Sequence, residues 1–298
     1  MNPYFSRQEF VRRHRRALEM MQAERLSALL LTSDRNIYYL SGHQPFCPWH
    51  STTRPAILIV PLDREPVLLS HRTWVGAAAQ DTWISDVRSY TSLEGAPIAL
   101  LVSLLRELGL ERARIGLELG LEQRIGMPAG DFDALRIAMP AAAWVDAADL
   151  LWQLRRIKSA EEIECLRRAC AAVDAAFAAV FPTLVPGLSR EEVVHRLQAA
   201  VCAAGADFGF LAPAWGGESN RTIAALPSSE PIASGDLIWI DMGAVYHGYW
   251  SDFSRAVCLG RPTDEARRTW EAVHRVTMRG VEAMGPDVPI SAVVEACA

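Results

Sequence analysis

Leu237-Ile238-Trp239-Ile240-Asp241-Met242-Gly243-Ala244-Val245-Tyr246-His247-Gly248-Tyr249-Trp250-Ser251-Asp252-Phe253 is the stretch on which the reading of this chain turns. The apolar run Leu237 to Ile240 leads straight into Asp241, and a second strand-like stretch, Tyr249 to Phe253, follows Gly243 and Gly248. Two such segments joined by a short glycine-containing connection predict a β-hairpin. With its turn centred between Tyr246 and His247, Asp241 and Asp252 become direct cross-strand neighbours.

Side chains so placed hold their Cβ atoms roughly 4.5 to 5.5 Å apart, and like charges there are destabilising. Either one carboxylate takes up a proton or a cation sits between the two. Hydrolases with two metals hold them roughly 3.5 to 4 Å apart, a span that a bridging carboxylate pair fits. The alternative is a pair of solvated strand-end aspartates, and spacing alone leaves both readings open. The apolar run before Asp241 brings that carboxylate near the interior. Two aspartates fall short of an all-protein metal site, so further ligands have to come from elsewhere.

Upstream of the hairpin the pattern is helical. Ser159-Ala160-Glu161-Glu162 matches a capping box, opening a helix that can run to about Val180 and closes at Pro182. A second helix starts after Pro186-Gly187 with Ser189 as its N-cap and Glu192 at the third position. Residues 1 to about 150 alternate helix and strand signals. These are a helix at about 7 to 24, the apolar run Leu26 to Leu31, a strand pair Pro55 to Val60 and Pro66 to Leu69, helices at about 73 to 80 and 97 to 109, and a strand at Arg114 to Glu118. The expected organisation is an α/β domain over 1–150 and a second domain over 151–298, with the boundary near residues 150 to 158. Downstream, a helix is expected from about Asp264 to Met284. Another apolar helical pattern begins at Ile290 and breaks off within it, which suggests a truncated chain.

At 298 residues the chain is about twice a typical domain. Half of its residues are hydrophobic and 22% are charged, the composition of a soluble globular protein. A net charge of -5 offers no basic surface for nucleic acid. The cluster Arg12, Arg13, His14, Arg15, Arg16 lies among Glu9, Glu19 and Glu24 on a helical pattern, so it reads as a solvated helix face rather than an acid-poor transit peptide. No apolar run reaches the roughly 20 residues of a membrane span and no signal-peptide core follows Met1, so a cytoplasmic protein without membrane or nucleic-acid partners is expected. The six cysteines, Cys47, Cys165, Cys170, Cys202, Cys258 and Cys297, form no C-x-x-C pair and are expected to be reduced.

The segment Asp241-Met242-Gly243-Ala244 through Gly248-Tyr249-Trp250-Ser251-Asp252-Phe253-Ser254-Arg255 is similar to the first metal-ligand signature of the Xaa-Pro aminopeptidase, prolidase and creatinase family, metallopeptidase family M24. Leu154 to Ile163 resembles the family's entry into its catalytic domain. Ile115-Gly116-Leu117-Glu118 and Asn36-Ile37-Tyr38-Tyr39-Leu40-Ser41-Gly42 resemble segments of its N-terminal domain. The resemblance implies an α/β chain: a creatinase-like N-terminal domain followed by a pita-bread α+β catalytic domain, incomplete here. It implies a centre of two divalent ions (Mn, Co, Zn or Fe) held by two Asp, one His and two Glu. Asp241 and Asp252 match the first two ligands, and the other three lie beyond residue 298, so the fragment is expected to be inactive. A homodimer and a small peptide or small-molecule substrate are implied as well.

Family peptidases carry a histidine, thought to contact substrate, in a stretch similar to Leu226-Pro227, where this chain has Ser228, then Ser229, Glu230 and Pro231. A hydroxyl cannot shuttle protons near neutral pH as imidazole does. The substrate-binding and catalytic residues are therefore left unassigned. Three functions compete: hydrolysis of short peptides with proline at the second position, metal-dependent hydrolysis or elimination on a small non-peptide substrate (as in creatinase-, ectoine-hydrolase- and sulfoniopropionate-lyase-like branches), and a non-catalytic binding module. Retained Asp241 and Asp252 argue against the last, and Ser228 favours the second over the first. His247 reads as a turn histidine, and Arg255, on the other strand face from Asp252, as an ion-pair partner. Gly216-Gly217 with Glu218 to Arg221 reads as a flexible loop, and the Gly42 to His50 loop with His43, Trp49 and His50 as a surface loop, a lid or a dimer contact.

Overall fold

A computed structural model of the protein describes residues 5–44, 53–215 and 227–298. Two compact units divide between Ile163 and Glu164. No helix among the described residues is long and apolar enough to cross a membrane.

In the first unit Ser6 caps α1 (Arg7–Ala23), its Oγ accepting from the Glu9 N–H at 3.1 Å. There follow β1 (Ala28–Leu31), α2 (Asp34–Ser41), β2 (Ile57–Pro61), β3 (Val67–His71), α3 (Val75–Asp81), β4 (Asp86–Tyr90), α4 (Ile98–Glu107), β5 (Arg114–Leu117), α5 (Ala129–Ala138), β6 (Ala143–Asp146) and α6 (Ala148–Arg156). The strands form one mixed sheet in the order β4-β3-β2-β1-β5-β6. Its central strands read as continuous apolar runs because both faces are covered. Leu30, Ile57, Ile59, Leu69 and Ile115 pack with Leu101, Leu105 and Leu135 of α4 and α5. Their neighbours Leu29, Leu31, Leu58, Val60 and Leu68 point the other way, onto Met21, Ile37, Leu40, Leu150 and Leu154 of α1, α2 and α6.

The strand pair read at 55–60 and 66–69 is the antiparallel β2–β3, with Ile57 opposite Leu69. Helix α2 was not anticipated, because Ile37, Tyr38 and Tyr39 are weak helix formers. Its start is fixed from outside: Ser33 makes no side-chain cap, and the buried Glu118 just past β5 takes over. Glu118 Oε2 accepts from the Thr32 and Ser33 N–H groups at 2.8 and 2.9 Å, and Oε1 accepts from Asn36 Nδ2 at 2.5 Å. The segments Asn36 to Gly42 and Ile115 to Glu118 thus meet in one hydrogen-bonded knot.

The basic cluster on α1 is not simply a solvated face, and Arg13 is the correction. Its side chain is fully buried, with the guanidinium 4.4 Å over both the Phe5 and Tyr39 rings. A buried guanidinium requires an anion, and Glu9 Oε1 accepts from its Nε at 2.8 Å while Glu162 Oε1 stands 3.8 Å away.

The second unit takes in most of α7 (Ala160–Val180), which opens on the expected capping box. The Ser159 N–H donates to Glu162 Oε2 at 2.7 Å, and the Glu162 N–H to Ser159 Oγ at 3.2 Å. A short 3-10 turn at Phe181–Thr183 ends it, and α8 (Arg190–Ala203) starts at Ser189, whose Oγ accepts from the Glu192 N–H at 3.1 Å. Strands β7 (Phe208–Ala214), β8 (Leu237–Tyr246), β9 (Tyr249–Trp250) and β10 (Phe253–Cys258) follow, then α9 (Asp264–Ala283) and α10 (Ile290–Cys297). The sheet is antiparallel in the order β10-β8-β7, with β9 also on β8. Ile238, Ile240, Met242 and Ala244 pack against Val173, Ala176 and Phe177 of α7 and Val193, Leu197 and Val201 of α8. Strand alternation therefore turns Trp239, Asp241, Gly243 and Val245 to the opposite face. The five described cysteines are free thiols.

Burial would raise the Glu9 carboxyl, but its bonds from Arg12 and Arg13 outweigh that and hold it at about 2. A depressed acid stabilises the fold above its unfolded pKa and loses that contribution as pH falls through the folded one. Glu9→Gln is therefore expected to cost about 3 kcal/mol near neutral pH. In thermal melts its difference from the unmodified chain should shrink as pH falls from about 4.5 toward about 2.

Candidate metal centre

The turn between β8 and β9 corrects the expected register. His247 and Gly248, not Tyr246 and His247, are its central residues, with φ of 51° and 82°. A two-residue loop with positive φ at both positions matches the right-handed twist of its strands, and glycine at its second position is the usual signal. Tyr246 then pairs with Tyr249 and Val245 with Trp250. Asp241 therefore stands opposite Ser254, not Asp252. The shift is two residues along the partner strand, so the register leaves both side chains on the same side of the sheet, with Asp252 in the gap between β9 and β10.

The two carboxyl groups still meet. Burial raises the Asp241 pKa first, and the charge of Asp252 and a side-chain hydrogen bond with it raise it further. Asp241 is half-buried and Asp252 exposed. Two contacting oxygen donors, one disfavoured as a lone anion, suit a divalent cation of the hard, oxygen-preferring kind. Among the described residues no group of three or more His, Cys, Asp and Glu gathers to hold a metal, so the pair contributes two donors and does not close a coordination sphere.

Two residues beside the pair escaped the sequence reading. The buried Ser251 hydroxyl accepts from the Ala244 N–H at 3.1 Å, and a side chain on Gly243 would run into the Ser251 carbonyl oxygen and the Phe210 ring. Glycine within a strand marks a close backbone approach, and that signal was available at Gly243.

The other candidates lie apart from this chemistry. The His247 ring packs 4.0 Å from that of Tyr246, and its backbone N–H donates to Asp207 Oδ2 at 2.7 Å. Arg255 reaches across the other face to Asp174 Oδ1 on α7 at 3.1 Å, as strand parity predicts. The Ser228 carbonyl accepts from the Glu191 N–H at 3.1 Å and its Oγ from the Glu230 N–H at 3.4 Å, tying this stretch to the start of α8. His43 is buried beyond the end of α2, its Nδ1 4.0 Å from Asp81 Oδ2. Cys47, Trp49, His50, Leu226 and the loop Gly216 to Arg221 lie outside the described residues.

Comparison with known proteins agrees with this layout. Residues 13–157 match the Creatinase/Prolidase N-terminal domain, and residues 164–298 match Metallopeptidase family M24. A peptidase of Bacillus subtilis, YqhT, is 27% identical over 266 residues, covering 88% of this chain and 69% of its own. An Xaa-Pro dipeptidase of Pyrococcus horikoshii is 24% identical over 281 residues, covering 92% of this chain and 72% of its own. The solved prolidase of Thermococcus sibiricus superposes with a TM-score of 0.83 at 22% identity, covering 98% of this chain and 77% of that one. That likeness shows the fold, a creatinase-like α/β domain followed by a pita-bread domain.

Asp241 loses stability when ionised, since its folded pKa lies above the unfolded one. Stability from this group is therefore present at low pH and falls as pH rises through the folded pKa. In thermal melts without metal, Asp241→Asn is expected to raise the Tm near pH 7 and to leave it nearly unchanged near pH 3.

Proposed function

Since this chain belongs to metallopeptidase family M24 and is a hydrolase by family, we propose that Asp241 and Asp252 are metal ligands of a site that cleaves short peptides with proline at the second position. The observation that carries the proposal is the contact of two carboxyl groups on one face of β8 and its return strand, where burial first and the neighbouring Asp252 second push the Asp241 pKa up. A divalent cation held between the two carboxylates relieves that repulsion.

Divalent ions bound there supply Lewis acidity toward the scissile carbonyl and acidify water for the attack. This chain's part is to hold two anionic oxygens in place on a strand whose opposite face is locked into the helices. We propose that these residues carry two of five ligands, the remaining His and two Glu belonging C-terminal to residue 298, and that they bind metal weakly and turn over no peptide alone. A homodimer and a small soluble substrate belong to the same proposal. Ser228, where the peptidases resembled here carry histidine, favours a second reading: the same metal chemistry on a small non-peptide substrate.

Xaa-Pro dipeptides and tripeptides with Mn2+, tested on a version of the chain that carries the three further ligands, decide between them. Turnover is expected there, and Asp241→Ala should lower kcat/KM by about 10^2 to 10^3-fold, the several kcal/mol that a Lewis acid contributes. Turnover of a small amidine or other non-peptide substrate with peptides left intact would select the second reading. Peptide turnover unaffected by Asp241→Ala would overturn the ligand assignment.

A further inference from the structure

In a hairpin closed by a two-residue loop, alternate residue pairs exchange both main-chain hydrogen bonds. Tyr246 with Tyr249 begins that series, Ala244 with Ser251 should continue it, and Met242 with Phe253 comes next. The middle pair makes only half of its exchange. The Ser251 N–H donates to the Ala244 carbonyl at 3.0 Å, but the Ala244 N–H donates to Ser251 Oγ at 3.1 Å instead of to the Ser251 carbonyl.

The displaced carbonyl oxygen sits against the Gly243 Cα, where any side chain would collide with it. Ser251 and Asp252 thereby drop out of strand pairing between β9 and β10. No residue is inserted, because Val245 opposite Trp250 and Met242 opposite Phe253 belong to one register. What stands here is a local break in the ladder, and the only residues within it are Ser251 and the candidate ligand Asp252.

We infer that Ser251 is a positioning residue for the metal site: its hydroxyl replaces its own carbonyl in the ladder and so holds open the break that turns Asp252 toward Asp241. This rests on the reading of the two aspartates as metal ligands.

The physical case is one of acceptors. Ala244 is completely buried, so its N–H must find a partner. Remove the Ser251 hydroxyl, and the nearest main-chain acceptor is the Ser251 carbonyl, reached only by closing the break. Closure returns Asp252 to a regular position opposite Gly243, diagonal to Asp241, where Cα atoms lie roughly 7 to 8 Å apart. A small polar side chain competing with the main chain for a ladder bond is the same chemistry that lets serine cap helices and turns. Gly243 is the complementary requirement, since it leaves room for the carbonyl that the hydroxyl displaces.

The test uses the 298-residue chain with Mn2+, whose paramagnetic broadening of backbone amide signals reports even weak sites. Broadening is expected to centre on the amides around Asp241 and Asp252. Ser251→Ala should weaken apparent Mn2+ affinity about 10-fold or more, the scale of losing a group that orients a ligand. It should also shift the Ala244 amide as its bond passes to a carbonyl. Ser251→Thr, which keeps the hydroxyl, should restore both. Ser251→Cys, of similar size with a weak acceptor, should behave as Ser251→Ala and decides the matter if the alanine variant does not fold. Loss of the Mn2+ effect in Asp241→Ala with none in Ser251→Ala or Ser251→Cys would overturn the inference alone. An undiminished Mn2+ effect in both Asp241→Ala and Asp252→Ala would overturn the metal reading and the inference with it.

Discussion

The register of β8 against its return strand is set by one backbone constraint, the positive φ of His247 and Gly248. Only a turn of that hand continues the strand twist without splaying the pair. Once it is made, Asp241, Gly243 and Asp252 fall on one face, and Ile238, Ile240 and Met242 fall on the other, against α7 and α8. The helices anchor the apolar face firmly enough that the opposite face can carry two like charges in contact. Burial on one side of a strand thus supports electrostatic strain on the other.

That strain has a direction. A carboxyl whose ionisation is penalised by burial and by a neighbouring anion opposes folding when it is empty of metal and favours whatever cation relieves it. Local rules broken at a site, with the cost met by the surrounding fold, are what a functional centre looks like in a stable domain. The break at Ser251 and Asp252 belongs to the same pattern: a ladder bond is moved from main chain to side chain, and the buried Ala244 N–H keeps an acceptor.

The first unit shows the converse. Its charged residues are buried in matched sets: Glu118 under the start of α2, and Arg13 between Glu9, Glu162 and two aromatic rings. These groups hold elements together, and Glu118 ties segments far apart in the chain, Asn36 to Gly42 and Ile115 to Glu118, to one another. A glutamate at the end of β5 is as much a part of α2 as any residue within that helix.

The amino-acid sequence by itself determined the α/β class, the capping box at Ser159 and the N-cap at Ser189, the strand pair β2–β3, the hairpin, and the common face of Asp241 and Asp252. All of these rest on local periodicity or on hydrogen bonds between residues three apart. Face assignment survived the misplaced turn, because a two-residue slip leaves strand parity unchanged. Only the tertiary structure decided the register itself, the helix at α2, the burial of Arg13 and the exchange of acceptors at Ser251. Each of these depends on a partner distant in sequence or on a backbone angle that the side chains do not reveal, and no periodicity encodes which buried N–H will be left needing an acceptor.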